Sequence, residues 1–270
     1  MECSFYLVDA FVRAARPFTG NPAGVCILHS EQPASWMQQV AAEINQAETA
    51  FLLKRQDGSW QLRWFTPTVE VNLCGHATLA AAHVLWEQQG ATVTCLEFHT
   101  ASGLLKAERR GESIALDFPA DPPKALAELP TGIEQLLGEK PQWFGKGKEF
   151  HVAIVSSAQV VRDLQPDFAL IKTIAPIGLI VSGPTSGVGD DSDVDMVSRV
   201  FAPNAGINED SVTGAAHCTL AVYWGERLGK YHLRALQASA RSGSLALEWQ
   251  GARVALIGTA HTRLTGVFYG

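Results

Sequence analysis

No apolar run in the chain approaches the ~20 residues that cross a bilayer, so no membrane helix is expected. Lys and Arg form no cluster, and a net charge of −6 offers nothing to nucleic acid. Cys-x-x-Cys and His-Glu-x-x-His are both missing, which leaves no structural or hydrolytic zinc motif, and no metal is expected. A Gly-rich phosphate loop and a dinucleotide fingerprint are missing too, so no nucleotide cofactor is expected. Cysteine is scarce: five residues, an odd number, scattered over 270 positions. They read as reduced thiols of a cytoplasmic protein, not as a disulfide framework. The start, Met1-Glu2-Cys3-Ser4-Phe5, lacks the basic and apolar segments of a signal peptide.

What is present is a well-packed composition, 47% hydrophobic and 18% charged. The rest of the chain is organised around Asn72-Leu73-Cys74-Gly75-His76-Ala77-Thr78, which runs on through Trp86 with no charge before Glu87. A helix that is apolar nearly all round is expected to be buried. Its N-terminus offers unpaired N–H groups and a positive dipole end, an anion site in waiting, with the Cys74 thiol and the His76 imidazole beside it. Read alone, the stretch is as readily a core helix with a satisfied histidine.

A second copy follows at Gly214-Ala215-Ala216-His217-Cys218-Thr219-Leu220-Ala221. His76-Ala-Thr-Leu-Ala is echoed by His217-Cys-Thr-Leu-Ala, and Arg63-x-Phe65-x-Pro67 by Arg199-x-Phe201-x-Pro203. The offsets are 136 for the arginines (199 − 63), 141 for the histidines (217 − 76) and 139 if Gly75 is matched to Gly214 (214 − 75), so the helix register stays open. Two halves, each a strand running into a buried helix, point to internal duplication. The halves are placed at 1–119, around a helix over 75–88, and at 120–270, around a helix over 214–228. The best boundary candidate is Ala120-Asp121-Pro122-Pro123, and the last strand is free to return to the first half.

Alternation and β-branched content place strands at Ser4–Val12 and Val25–Leu28, separated by a loop, Pro17–Gly24, whose Asn21 is a candidate to face a ligand. A helix is expected over Ala34–Asn45 from its 3.6 period. Glu48 then opens an apolar strand, and Asp57-Gly58 turns the chain into Trp60–Phe65. Further strands are expected at 92–99, 103–108, 113–118, 150–155, 177–182, 196–201, 233–240, 245–249 and 253–257. The stretch Gly183–Asp195 reads as a loop anchored by little beyond Val188 and Val194. Glu209 and Asp210 precede the second helix, where a single carboxylate would suffice for capping. If the two helix N-termini face one cleft, their amides suit a small anionic substrate, with Glu48, Cys74, His76 and Asp210 to handle protons. Such a site suits cofactor-free proton abstraction beside a carboxylate or carbonyl.

Five segments then carry a resemblance to a known family: Phe18-Thr-Gly-Asn-Pro-Ala-Gly24, Ala47-Glu-Thr-Ala-Phe51, Leu73-Cys-Gly-His-Ala-Thr78, Glu209-Asp-Ser-Val-Thr-Gly214 and Gln237-Ala-Ser-Ala-Arg241. In this order, over nearly the whole chain, they resemble the PhzF family of phenazine-biosynthesis-type isomerases. The resemblance implies an α+β, diaminopimelate-epimerase-like fold of two pseudo-symmetric halves, each a mostly antiparallel sheet curled around a central helix. It implies a glutamate, here Glu48, that shuttles a proton, helped by His76 and Asp210. It also implies substrate contacts from Asn21, Cys74, Gly75, Ser211, Thr213, Gly214 and Ala215. A homodimer acting on a substrate like dihydro-3-hydroxyanthranilate completes what it implies. Asn72 stands where the family pattern has aspartate, Ser211 where proline is frequent, and Ala215 where serine commonly follows. Related racemases use a thiol in each half, and Cys74 matches the first while Thr213 holds the second position. Threonine is too weak an acid for that role, and Cys218 is expected in the core. The alternatives are a racemase or epimerase using Cys74, and a non-catalytic binding protein of the same fold.

Overall fold

The computed structural model describes residues 2–14, 16–187 and 192–270. Val188, one of the two expected loop anchors, lies outside them, as does Met1. Two units are distinguished, one made of residues up to Phe118 together with Ile257–Gly270, the other of Pro119–Leu256.

In the first unit the order is β1 (Glu2–Ala10), β2 (Asn21–Leu28), α1 (Ala34–Ile44), β3 (Glu48–Lys54), β4 (Trp60–Phe65), β5 (Glu70–Val71), α2 (Gly75–Glu87), β6 (Cys95–Thr100), β7 (Gly103–Arg110) and β8 (Ser113–Pro119). Strand β1 stops two residues short of expectation because Phe11 has φ +58°, which no strand accepts. The expected loop 17–24 is only half a loop. Gly20 turns at φ +88°, and Asn21 already pairs with Ala10 in the β1–β2 ladder, which buries its side chain. Strand β2 lies parallel to β3 and β3 antiparallel to β4. A Cβ on Gly24 would come within 2.9 Å of Thr49 Oγ1, so the β2–β3 contact requires glycine there. Strand β4 is antiparallel to β5 and parallel to β6. Helix α2 has ten of its thirteen residues buried, from His76 to Trp86, as its sequence requires. Burying each large aliphatic, such as Leu79 or Leu85, stabilises this packing by roughly 1.5–3 kcal/mol.

In the second unit come β9 (Lys124–Ala125), α3 (Ile133–Leu137), β10 (Trp143–Lys146), β11 (His151–Ile154), α4 (Ala158–Asp163), α5 (Phe168–Ile174), β12 (Leu179–Pro184), β13 (Met196–Ala202), β14 (Ile207–Asp210), α6 (Gly214–Leu228), β15 (His232–Gln237), β16 (Gly243–Gln250) and β17 (Arg253–Gly258). The pairings repeat those of the first unit in order. Strands β11 and β12 are parallel, β12 and β13 antiparallel, β13 and β14 antiparallel, β13 and β15 parallel. Helices α3, α4 and α5, which the sequence pattern did not announce, pack Leu136, Val161 and Ile171 into one apolar cluster with Phe201 and Leu236. The last strand, β18 (Ala260–Tyr269), lies antiparallel to β1 along its whole length.

Duplication is therefore visible in the topology, and side chains settle its register. Arg63 binds Glu70 through two hydrogen bonds of 2.7 and 2.8 Å, and Arg199 binds Glu209 through two of 2.7 and 2.9 Å. Each guanidinium lies 5.1 Å from the ring of the phenylalanine two residues on, Phe65 or Phe201. The offset grows from 136 (199 − 63) to 139 (209 − 70) between these landmarks because a 3₁₀ turn, Pro203–Ala205, adds three residues. It stays at 139 for Cys74 and Thr213, the N-caps of α2 and α6 (213 − 74).

Candidate active site

In the first unit Glu48, Asn21, Cys74 and His76 converge. Glu48 is the first residue of β3 and sits beside Ala23 of β2 in the parallel ladder. Its Oε2 lies 3.2 Å from His76 Nε2, close enough for an ion pair but too far out of line for a straight hydrogen bond. On the other side of the ring, His76 Nδ1 lies 3.2 Å from Asn21 Nδ2 and 3.6 Å from Cys74 Sγ. Asn21, Cys74 and His76 are buried, while Glu48 keeps a side-chain exposure of 14%, an opening to the outside. Burial works against a charged ring, but the neighbouring Cys74 sulfur and Glu48 carboxylate prevail and carry the His76 pKa well above the ordinary value. The Cys74 thiol moves the wrong way for a base. Burial and the Glu48 carboxylate push it up, and His76 only partly offsets them.

Cys74 is the N-cap residue of α2 and Gly75 its first helical residue; no side chain caps the helix. The uncapped amides thus open beside Glu48 and His76. Glu48, Cys74 and His76 donor atoms lie within 4.8 Å of one another, the type of set a divalent ion uses. Their mutual contacts account for that closeness, and the positive end of a helix disfavours a cation.

In the second unit Asp210, Ser211, Thr213, Gly214 and Ala215 form the turn into α6. Asp210 ends β14 and accepts a 2.6 Å hydrogen bond from the Thr213 hydroxyl. The bland expectation of a carboxylate capping the helix is replaced by this local bond. Thr213 is the N-cap and Gly214 the first helical residue, and no side chain caps α6 either. Ser211 offers its carbonyl to Ser239 Oγ at 2.7 Å, and Ala215 is exposed.

These positions settle the register that the two histidine segments left open. With the offset at 139, Ala215 matches His76 (215 − 76), and His217 matches Thr78 (217 − 78). Thr78 Oγ1 donates to the Cys74 carbonyl at 2.5 Å, and the His217 ring donates from Nδ1 to the Thr213 carbonyl at 2.7 Å. Both brace the carbonyl four residues back. Burial holds the His217 pKa down to about 4, so the ring is neutral. Cys218 is buried as expected, its thiol pushed up to about 12 by burial and by Asp121. Sequence reasoning also passed over Gln237, although its segment was singled out; Gln237 is fully buried against Asp210 and Thr213.

The pattern described as phenazine biosynthesis-like protein matches residues 8–266. A protein of Halalkalibacterium halodurans named as an uncharacterized isomerase is 44% identical over 265 residues, 98% of this chain and 97% of that one. The chain belongs to the PhzF family. A solved PhzF-family structure from Enterococcus faecalis superposes with a TM-score of 0.91 at 39% identity and covers both chains completely. A hydroxyproline epimerase from Agrobacterium vitis, 11% identical with a TM-score of 0.58 over 98% of this chain and 92% of that one, shares the fold alone. The PhzF fold is thus the α+β, epimerase-like fold of two pseudo-symmetric halves expected from the five segments. None of the helices of the described residues is long and apolar enough to cross a membrane.

Proposed function

We propose that the protein is a PhzF-like isomerase that moves a proton between two carbons of a small carboxylate-bearing substrate, with Glu48 as the carrier. The observation that carries this reading is Glu48 Oε2 at 3.2 Å from His76 Nε2, at the uncapped N-terminus of α2. The Glu48 carboxylate accepts the proton from one carbon, becoming a neutral acid, and returns it to another. His76, with its pKa raised, keeps a positive charge beside the negative charge that develops on the substrate, and its Nδ1 faces the Cys74 sulfur at 3.6 Å. Gly75 and Gly214 mark the amides that bind substrate negative charge, and Asp210, Ser211, Thr213 and Ala215 line the α6 end. Every proton-handling group comes from the chain, so the reaction needs no cofactor. A homodimer in the cytoplasm completes the proposal.

Solvent deuterium incorporation, followed by NMR on a panel of small carboxylates including dihydro-3-hydroxyanthranilate, tests it. Exchange is expected, and Glu48→Gln is expected to slow it roughly 10²–10⁴-fold while binding survives. Exchange that survives Glu48→Gln and fails in Cys74→Ser would move the assignment to a thiol racemase. No exchange on any panel member would remove the support for catalysis.

A further inference from the structure

The N-terminus of α6 is held in an unusual way. Thr213 is a good capping residue type, yet its hydroxyl is turned to Asp210 Oδ2 and caps nothing. Its N–H is taken by a side chain from another strand: Gln237 Oε1, at 2.8 Å, from the last residue of β15. The same amide donates from Nε2 to the Asp210 carbonyl at 2.7 Å and approaches Thr213 Oγ1 at 3.3 Å. Two residues on, Ser239 Oγ donates to the Ser211 carbonyl at 2.7 Å and accepts the Ser242 N–H at 3.1 Å. From within the helix, His217 Nδ1–H donates to the Thr213 carbonyl at 2.7 Å, while Nε2 lies 3.3 Å from the buried Ser198 hydroxyl. Ser198 then donates to Nε2, and the ring stays neutral in one tautomer.

We propose that Gln237 and His217 are positioning residues that hold Thr213 by its N–H and its carbonyl, and so aim the amides of Gly214, Ala215 and Ala216 at a carboxylate of the substrate. This rests on the function proposed above. The physical reason is that a helix start has four N–H groups without helical partners. An ordinary cap fills N2 or N3 and closes the anion site. Here the N-cap N–H is satisfied from outside, the cap hydroxyl is diverted to Asp210, and the next three amides stay uncapped. Fully buried Gln237 satisfies both its oxygen and its nitrogen in doing so, an arrangement with one orientation only.

The test separates a positioning role from plain stability. In the Glu48→Gln background, calorimetric titration with dihydro-3-hydroxyanthranilate, and with benzoate in parallel, reads binding without turnover. Gln237→Met and His217→Leu are expected to weaken binding roughly tenfold to a hundredfold, the loss of one charge-assisted hydrogen bond. His217→Gln, whose amide still donates to the Thr213 carbonyl, is expected to restore most of it. Gln237→Glu, which keeps shape and acceptor but adds negative charge, covers the case in which Gln237→Met does not fold, and it too is expected to weaken binding. Unchanged affinity in folded Gln237→Met or Gln237→Glu would overturn the positioning role alone. Failure of the Glu48→Gln parent to bind either carboxylate would instead overturn the proposed function and the role that rests on it. Independently, ¹⁵N spectra of labelled histidine should show His217 neutral and protonated at Nδ1 from pH 5 to 8. A ring protonated at Nε2, or one that titrates in this range, would overturn the clamp itself.

Discussion

Helix α2 begins Cys74-Gly75-His76 and α6 begins Thr213-Gly214-Ala215, two starts related by duplication and equipped for different work. At α2 the residue after the glycine is a histidine, and a strand places Glu48 against it. At α6 the same position is alanine. The register match to Glu48 is Gly178, one residue before the pair Leu179–Phe201 as Glu48 is one before Thr49–Phe65, and it has no carboxylate. Only the α2 start, of the two, pairs a histidine with a carboxylate. The α6 end has amides, a hydroxyl tied to Asp210, and the outside grip of Gln237. Duplication thus supplied two equivalent uncapped helix starts, and the side chains around them differ.

The arginine–glutamate pairs sharpen the comparison most. Arg199 is nearly buried and also donates to the Leu164 carbonyl at 2.6 Å, whereas Arg63 and Glu70 are more exposed. Arg199→Ala strands Glu209 and a carbonyl, so a loss of about 3–5 kcal/mol is expected. Arg63→Ala should cost about 1 kcal/mol or less, since its pair is solvated. Urea unfolding of the two variants measures the gap, and equal losses would break the claim that burial separates the two copies.

The two histidines differ next. His217 has its pKa held at about 4, below the ordinary value near 6.5, so the unfolded chain binds the extra proton between these limits. Its contribution is present above pH 6.5 and is lost as pH falls towards 4, on the order of 3 kcal/mol at most. His76 has its pKa raised, so its contribution is present below the ordinary histidine pKa and is lost as pH rises through the raised value. Stability measured from pH 4 to 9 should therefore lose its acid-side slope in His217→Gln and its alkaline-side slope in His76→Gln. The same slope lost in both would mean that the rings share one environment.

Ala215→Ser gives the smallest expected effect. Position 215 is exposed, so stability should stay within about 0.5 kcal/mol. The added hydroxyl beside the α6 amides is expected to change which panel carboxylate binds best, as a calorimetric panel would show. An unchanged order of affinities would separate Ala215 from substrate selection.

Much of this was legible before any coordinates. Two helices with no Asp, Glu, Lys or Arg before Glu87 and Glu226, a carboxylate opening an apolar strand and paired Arg-x-Phe-x-Pro segments mark the duplicated α+β frame, because burial and alternation are local patterns. The short helices were harder. Helices α4 and α5 have six and seven residues, too few for a periodic stripe, although Ser157 and Asp167 cap them through Val160, Ala169 and Leu170 amides and were readable as starts. The histidine echo left the register open for a different reason. Matching letters paired His217 with His76, whereas matching hydrogen bonds pairs it with Thr78, since a hydroxyl and an imidazole N–H brace the same carbonyl.

By itself the sequence determined the family, the two buried helices, their glycine starts and the residue types able to move a proton. Those properties are carried by composition and spacing along the chain. Only the tertiary structure decided that Asn21 reaches His76 across 55 positions, that Gln237 holds Thr213 across 24, and that one histidine has its pKa raised while the other has it lowered. A side chain's protonation and partners depend on what distant strands bring beside it, and burial magnifies each such contact.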